Sequence, residues 1–217
     1  MGGRIKMVVF DLDGVILDSE PMHSRSIIRL LEGYGVFGFN PAENIGMSSE
    51  NMWKRLIEEN HIPATPEQMV EQMTELDEEE MRTCGMQESP HLSALLDKLE
   101  ENGILLGIAS SSERRFVDAA LRQVGVIDRF PYTLAGSEAP RKKPAPDLYL
   151  GVLKKAGILP QEAAAVEDSA TGLMAAREAG LFCIGYRSPS DGTQDLSGAD
   201  AVVDDLLEAA VLLLKAK

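Results

Sequence analysis

The stretch Met7-Val8-Val9-Phe10-Asp11-Leu12-Asp13-Gly14 decides how the rest of this chain is read. Four apolar residues in a row predict a short buried strand, and the strand stops at two aspartates and a glycine. On its own this ending is equally a strand running into an Asp-Gly turn. In an open parallel sheet, however, ligand sites lie beyond the carboxyl ends of the strands, which is where Asp11 and Asp13 stand. Adjacent carboxylates repel unless a cation neutralises them. The pair therefore points to a hard divalent metal with oxygen ligands, most simply Mg2+.

Strand-type runs recur at Ile104–Ala109, Tyr132–Ala135, Ala164–Glu167, Phe182–Gly185 and Ala201–Val203. Helical patterns separate most of them. Ser89 and Pro90 fit N-cap and first-turn positions ahead of a stripe of Leu92, Leu95, Leu96 and Leu99, which Gly103 ends. A second stripe runs from Ser112 to Gly125 and a third from Pro146 through Tyr149, Val152 and Leu153 to Gly157; a fourth, with Ala175, Ala176 and Ala179, ends at Gly180. Strand and helix in alternation predict an α/β fold, a doubly wound and mostly parallel sheet with a Rossmann-like core.

One interval breaks the rhythm. Between Asp18 and about Glu88 only helical patterns occur: Ile27, Leu30, Leu31 and Tyr34 form one stripe, and Met52, Trp53, Leu56 and Ile57 another. Thr65-Pro66-Glu67-Gln68 predicts a capping box with proline at the first helical position. We expect a small all-helical domain, residues 18–87, inserted into a core made of residues 1–17 and 88–217. Its methionines (Met22, Met47, Met52, Met69, Met73, Met81 and Met86) are expected to pack its interior rather than line a pocket. Trp53 faces either that interior or the opening of the active site. Gly33-Tyr34-Gly35-Val36-Phe37-Gly38 has the spacing of a dinucleotide-binding turn, but it follows a helix and runs into Asn40-Pro41, so it reads as a helix end and a loop.

Composition narrows the function. The 217 residues carry 21 basic and 35 acidic side chains, a net charge of −14. So acidic a surface repels phosphate backbones and anionic lipid headgroups, which excludes nucleic acid and membrane as expected partners. Two cysteines, Cys84 and Cys183, are too few and too far apart for a disulfide framework and suit a reducing cytoplasm. No stretch has the length of a signal-peptide core or a membrane span. His61 and His91 lack metal-ligand spacing and read as structural or exposed.

The other strand ends add to the first. Ala109-Ser110-Ser111-Ser112 offers hydroxyls and the first amides of a helix, an anion cradle. Arg141-Lys142-Lys143-Pro144-Ala145-Pro146-Asp147 is a local positive cluster in a negative chain. Glu167-Asp168-Ser169 supplies a second acidic pair, with Gly172 near the start of the next helix. Each feature alone is an ordinary cap, surface lysine or turn. All of them fall at carboxyl ends of parallel strands, as a catalytic site requires.

In this order and covering nearly the whole chain, the motifs resemble the haloacid dehalogenase-like superfamily, and in particular its phosphatase-type members with a helical cap. The resemblance implies that Asp11 attacks phosphorus to form an aspartyl-phosphate, while Asp13 protonates the leaving oxygen and then activates water. It implies Mg2+ held by the Asp11 carboxylate, the Asp13 carbonyl, Asp168 and Glu167, and phosphoryl oxygens held by Lys143, Ser110 and the backbone near Ser111. Superfamily members that cleave carbon–halogen bonds lack the second aspartate, and those that cleave phosphonates carry a cap lysine where Gly46-Met47-Ser48-Ser49 stands here. Gly46, Ser48, Ser49 and His23 are the expected cap contacts to substrate.

The expected function is a Mg2+-dependent phosphomonoester hydrolase acting on a small phosphorylated metabolite such as a sugar phosphate. A sugar-phosphate mutase of the β-phosphoglucomutase type is the alternative: His23 occupies the place of its hinge histidine, but Ser49 stands where the mutase has an arginine for the second phosphate. A non-catalytic interaction module on the same fold is the third reading.

Overall fold

A computed structural model describes residues 5–41, 49–189 and 194–215. The chain divides into two compact units, one of Met1–Asp18 with Met86–Lys217 and one of Ser19–Gly85.

The first unit is built on six strands: β1 (Met7–Phe10), β2 (Leu105–Ala109), β3 (Tyr132–Leu134), β4 (Ala163–Glu167), β5 (Phe182–Tyr186) and β6 (Ala201–Val203). Each agrees with its sequence-based expectation to within one residue at either end. They form one sheet in the order β3-β2-β1-β4-β5-β6, every neighbouring pair parallel. This is the doubly wound order whose topological switch lies between β1 and β4, where loops leaving their carboxyl ends diverge and open a crevice.

Both faces of the central strands are covered, which is why β1 is apolar throughout and β4 is apolar up to Glu167. On one face Met7, Val9, Ala163 and Ala165 pack against Tyr149, Val152 and Leu153 of a helix at Asp147–Ala156 and Leu173, Ala175 and Ala176 of another at Ala170–Glu178. The alternating residues Val8 and Phe10 take the opposite face. The Phe10 ring meets Phe130 edge-on, with centroids 5.9 Å apart.

Four helices of this unit follow the expected pattern, here numbered with those of the second unit in chain order: α4 (Leu92–Glu101), α5 (Arg114–Gln123), α6 (Asp147–Ala156) and α7 (Ala170–Glu178). A fifth, α8 (Leu206–Lys215), was not anticipated. Two helix starts differ from expectation. Ser89 and Pro90 do not begin α4: His91 adopts a left-handed conformation at φ 63°, and the helix starts only at Leu92. The Ser89 amide instead donates to the Ile16 carbonyl at 2.9 Å, and Leu17 bridges Glu88, so the two segments entering and leaving the insert run side by side. Likewise α5 begins at Arg114, beyond the three serines.

The second unit contains α1 (Glu20–Gly33), α2 (Ser49–Asn60) and α3 (Pro66–Cys84). Ile27, Leu30, Leu31, Met52, Trp53, Leu56 and Met69 form its core, which places the Trp53 ring inside and gives the methionines there a packing role. The Thr65 capping box is present, with the Thr65 hydroxyl accepting from the Gln68 amide and the Gln68 side chain accepting from the Thr65 amide. Gly35 and Gly38 lie in the loop after α1 and open no helix. Among the described residues no helix is long and apolar enough to cross a membrane.

Candidate active site

Strand β1 delivers Asp11 to the crevice: the Asp11 amide still donates to the Val166 carbonyl of β4 at 3.0 Å, so its side chain leaves from the end of the ladder. Strand β4 ends at Glu167, which is fully buried, and Asp168 follows. Carboxylate oxygens of Asp11, Glu167 and Asp168 lie within 4.8 Å of one another. Two glycines make this crowding possible. Gly14, at φ +81°, has no side chain where a Cβ would overlap the Asp168 carboxylate, and a Cβ on Gly172 would overlap that of Glu167.

Lys143 reaches the same cluster from the loop after β3. Its ammonium donates to Asp11 Oδ1 and, at 2.5 Å, to Glu167 Oε1. The neighbouring basic residues take no part: Arg141 pairs with Asp147 and Lys142 with Glu113, both at the surface. The expected positive cluster is therefore a single inward lysine flanked by two tethered surface charges.

One lysine does not balance three clustered carboxylates. Burial pushes the Asp11 carboxyl up to about 7, with Lys143 opposing and Glu167 and Asp13 adding. Asp168 is driven well above the usual carboxylate range, first by burial and then by Asp11 and Glu167. Burial works against the charge on Lys143, but Asp11 and Glu167 outweigh it and raise its pKa. Closely grouped, hard oxygen donors with surplus negative charge suit a divalent cation such as Mg2+. The Asp13 carboxylate is outside this trio; its expected metal ligand is the backbone carbonyl.

The serines are arranged differently from the expected cradle. Ser110 is buried at the end of β2, and its hydroxyl accepts from the Ser112 amide at 3.0 Å. Because α5 starts only at Arg114, that amide belongs to a loop rather than to the helix N-terminus. Ser111 is half-buried, its carbonyl packed close to Gly136. Ser112, offered by the sequence only as one of the cradle's hydroxyls, donates to Asp13 Oδ2 at 2.7 Å, a role that sequence reasoning missed.

Tyr149 was missed as well. It belongs to the apolar stripe of α6, yet its hydroxyl donates to Glu167 Oε1 at 2.5 Å. Ser169 caps α7 through the Gly172 amide and also reaches Glu167 Oε2 at 3.3 Å. Of the expected substrate contacts in the insert, His23 lies on α1 with Nδ1 2.8 Å from Oδ2 of the buried Asp77 on α3. Gly46 and Ser48 lie outside the described residues, as does the side chain of Ser49.

Comparison with known proteins finds relatives that span nearly the whole chain. The family model for haloacid dehalogenase-like hydrolases matches residues 8–186. The YhcW protein of Bacillus subtilis is 30% identical over 97% of this chain and 96% of its own length. The phosphorylated carbohydrates phosphatase of Thermotoga maritima is 26% identical, covering 82% of each chain. The crystal structure of CbbY from Rhodobacter sphaeroides superposes with a TM-score of 0.84 at 26% identity, covering 94% of this chain and 96% of that one. CbbY has been solved with phosphate and, as a mutant, with xylulose-1,5-bisphosphate.

Proposed function

The chain belongs to the haloacid dehalogenase-like hydrolases, and from that premise we propose that it is a Mg2+-dependent phosphatase of small phosphorylated metabolites, sugar phosphates above all. The observation that carries this reading is the convergence of Asp11, Glu167 and Asp168 with Lys143 at the topological switch of the sheet. The names of the relatives support the substrate class: one is a phosphatase of phosphorylated carbohydrates, and another has been seen with a sugar bisphosphate.

The Asp11 carboxylate attacks the phosphorus of the bound ester, forming an aspartyl-phosphate and expelling the alcohol. Asp13 gives its proton to the leaving oxygen. It then takes one from the water that attacks the aspartyl-phosphate and releases inorganic phosphate. The Ser112 hydroxyl orients Asp13 for both transfers. Lys143, with Ser110 and the backbone at Ser111, holds the phosphoryl oxygens. Asp11, Glu167, Asp168 and the Asp13 carbonyl would hold the metal, which when bound neutralises charge on the transferring group.

The helical insert, residues 18–87, would then serve as the family's cap and select the alcohol that leaves, with His23, Gly46, Ser48 and Ser49 the contacts expected from the sequence. The two free cysteines suit a cytoplasmic enzyme, and the net charge disfavours nucleic-acid partners.

The test is release of phosphate from p-nitrophenyl phosphate and from a panel of phosphorylated sugars, with Mg2+ and with EDTA, for the wild type and Asp11→Asn. Mg2+-dependent release that Asp11→Asn abolishes supports the reading. Phosphate retained on the sugar through turnover would favour a mutase, and no turnover on any substrate a non-catalytic module.

A further inference from the structure

Glu167 is the most constrained acid of the site. It is fully buried, and both its oxygens are engaged: Oε1 by the Tyr149 hydroxyl and the Lys143 ammonium, each at 2.5 Å, and Oε2 by the Ser169 hydroxyl at 3.3 Å. A Cβ on Gly172 would occupy the space its carboxylate uses, so that carboxylate has a single berth. The Tyr149 ring itself is fully buried among the apolar residues of α6 and β1, which fixes the direction of its hydroxyl. The Lys143 ammonium also lies 5.2 Å from the centroid of that ring, within reach of its electron-rich face.

We propose that Tyr149 is a positioning residue of the site, setting the orientation in which the Glu167 carboxylate serves both Lys143 and the metal. A side chain with three rotatable bonds is a poor ligand unless something holds it. Tyr149 does so from α6, where its buried ring fixes the hydroxyl that donates to Oε1 and so holds the carboxylate among the oxygens of Asp11 and Asp168. Outer hydrogen-bond partners of metal-ligating carboxylates have this effect, and their removal typically weakens affinity about 10- to 100-fold. The role belongs to the hydroxyl rather than the ring, so phenylalanine, which keeps the packing and the face under Lys143, removes it selectively.

This inference rests on the reading of the site as a Mg2+ phosphatase, and the experiment separates the two. Mg2+ binding to the intact protein is measured by calorimetry, without substrate, for the wild type, Tyr149→Phe, Glu167→Gln and the double variant, with folding checked by circular dichroism. We expect Tyr149→Phe to raise the Mg2+ Kd about tenfold and the Mg2+ concentration for half-maximal phosphatase activity in parallel. In the Glu167→Gln background the same change should alter the Kd by less than about twofold, because the effect runs through Glu167. A Kd within about twofold of the wild type in folded Tyr149→Phe overturns the inference and leaves the phosphatase reading intact. Independent, additive losses in the double variant overturn it as well. A wild type that binds no Mg2+ and hydrolyses no ester overturns both.

Discussion

The Ser112 hydroxyl donates to Asp13 Oδ2 across 2.7 Å, joining the segment after β2 to the loop after β1. With Asp13 as the proposed acid and base, this bond fixes the direction from which a proton reaches the leaving oxygen. Removing a hydrogen bond to a charged group costs roughly 1.5–3 kcal/mol, about a tenfold or larger loss in rate if all of it is felt in the transition state. Ser112→Ala should therefore slow hydrolysis of a sugar phosphate, whose alkoxide needs a proton, more than that of p-nitrophenyl phosphate, whose phenolate does not. Steady-state kinetics on both esters decide it, and an equal loss on the two would detach Ser112 from proton transfer.

The raised pKa values of Asp11 and Asp168 make the stability of the metal-free protein depend on pH. In the unfolded chain both ionise near 3.8, whereas in the fold Asp11 stays protonated up to about 7 and Asp168 well above the ordinary range. From about pH 4 upward the unfolded state then holds fewer protons, so stability falls as pH rises through the folded value of Asp11. Mg2+ must displace the same protons, and its affinity should climb over that window. Thermal melts should show Mg2+ raising Tm more at about pH 8 than at about pH 5.5. Equal shifts at both would mean that protons and metal do not compete for these carboxylates.

What sequence reasoning reached and what it missed have one physical basis. The strands and acidic pairs were legible because a doubly covered strand must be apolar throughout and must turn polar where it meets the crevice, a signal contained in a handful of adjacent residues. The capping box at Thr65 is equally local. The Ser112–Asp13 bond joins residues 99 apart, and Tyr149 reads as one more buried member of its helix because its ring is buried and only the hydroxyl has a polar task. His91 illustrates a third kind of miss. The serine–proline pair before it fits a helix start, but the Ser89 amide is committed to Ile16 across the mouth of the insert, and a left-handed residue is needed before α4 can begin.

Gly172 separates helix propensity from the demands of the site. At the third position of α7, alanine should be favoured over glycine by up to about 1 kcal/mol on propensity alone. The added methyl would overlap the Glu167 carboxylate, which is boxed in by Tyr149 and Lys143 and has nowhere to move. We expect Gly172→Ala to lower Tm instead of raising it, and to cut Mg2+-dependent phosphatase activity at least about tenfold. A stabilised, fully active variant would show that Glu167 has room to spare.

His23 is held through Nδ1 by the buried carboxylate of Asp77 on α3. A pairing of this kind fixes the ring plane and its tautomer, so the imidazole presents one face and one nitrogen consistently. If the helical unit selects the leaving alcohol, His23→Ala should lower kcat/KM for the best sugar phosphate by about tenfold, or 1.4 kcal/mol, and leave p-nitrophenyl phosphate nearly unchanged. Asp77→Asn should reproduce part of that loss, since the amide still bonds the ring but no longer favours a single tautomer. Thr65→Ala is the control within the same unit. Loss of its cap should cost about 1 kcal/mol in thermal stability without altering the preference among esters. Substrate profiles of His23→Ala and Thr65→Ala that shift together would mean that selectivity follows the stability of the helical unit and not the orientation of His23.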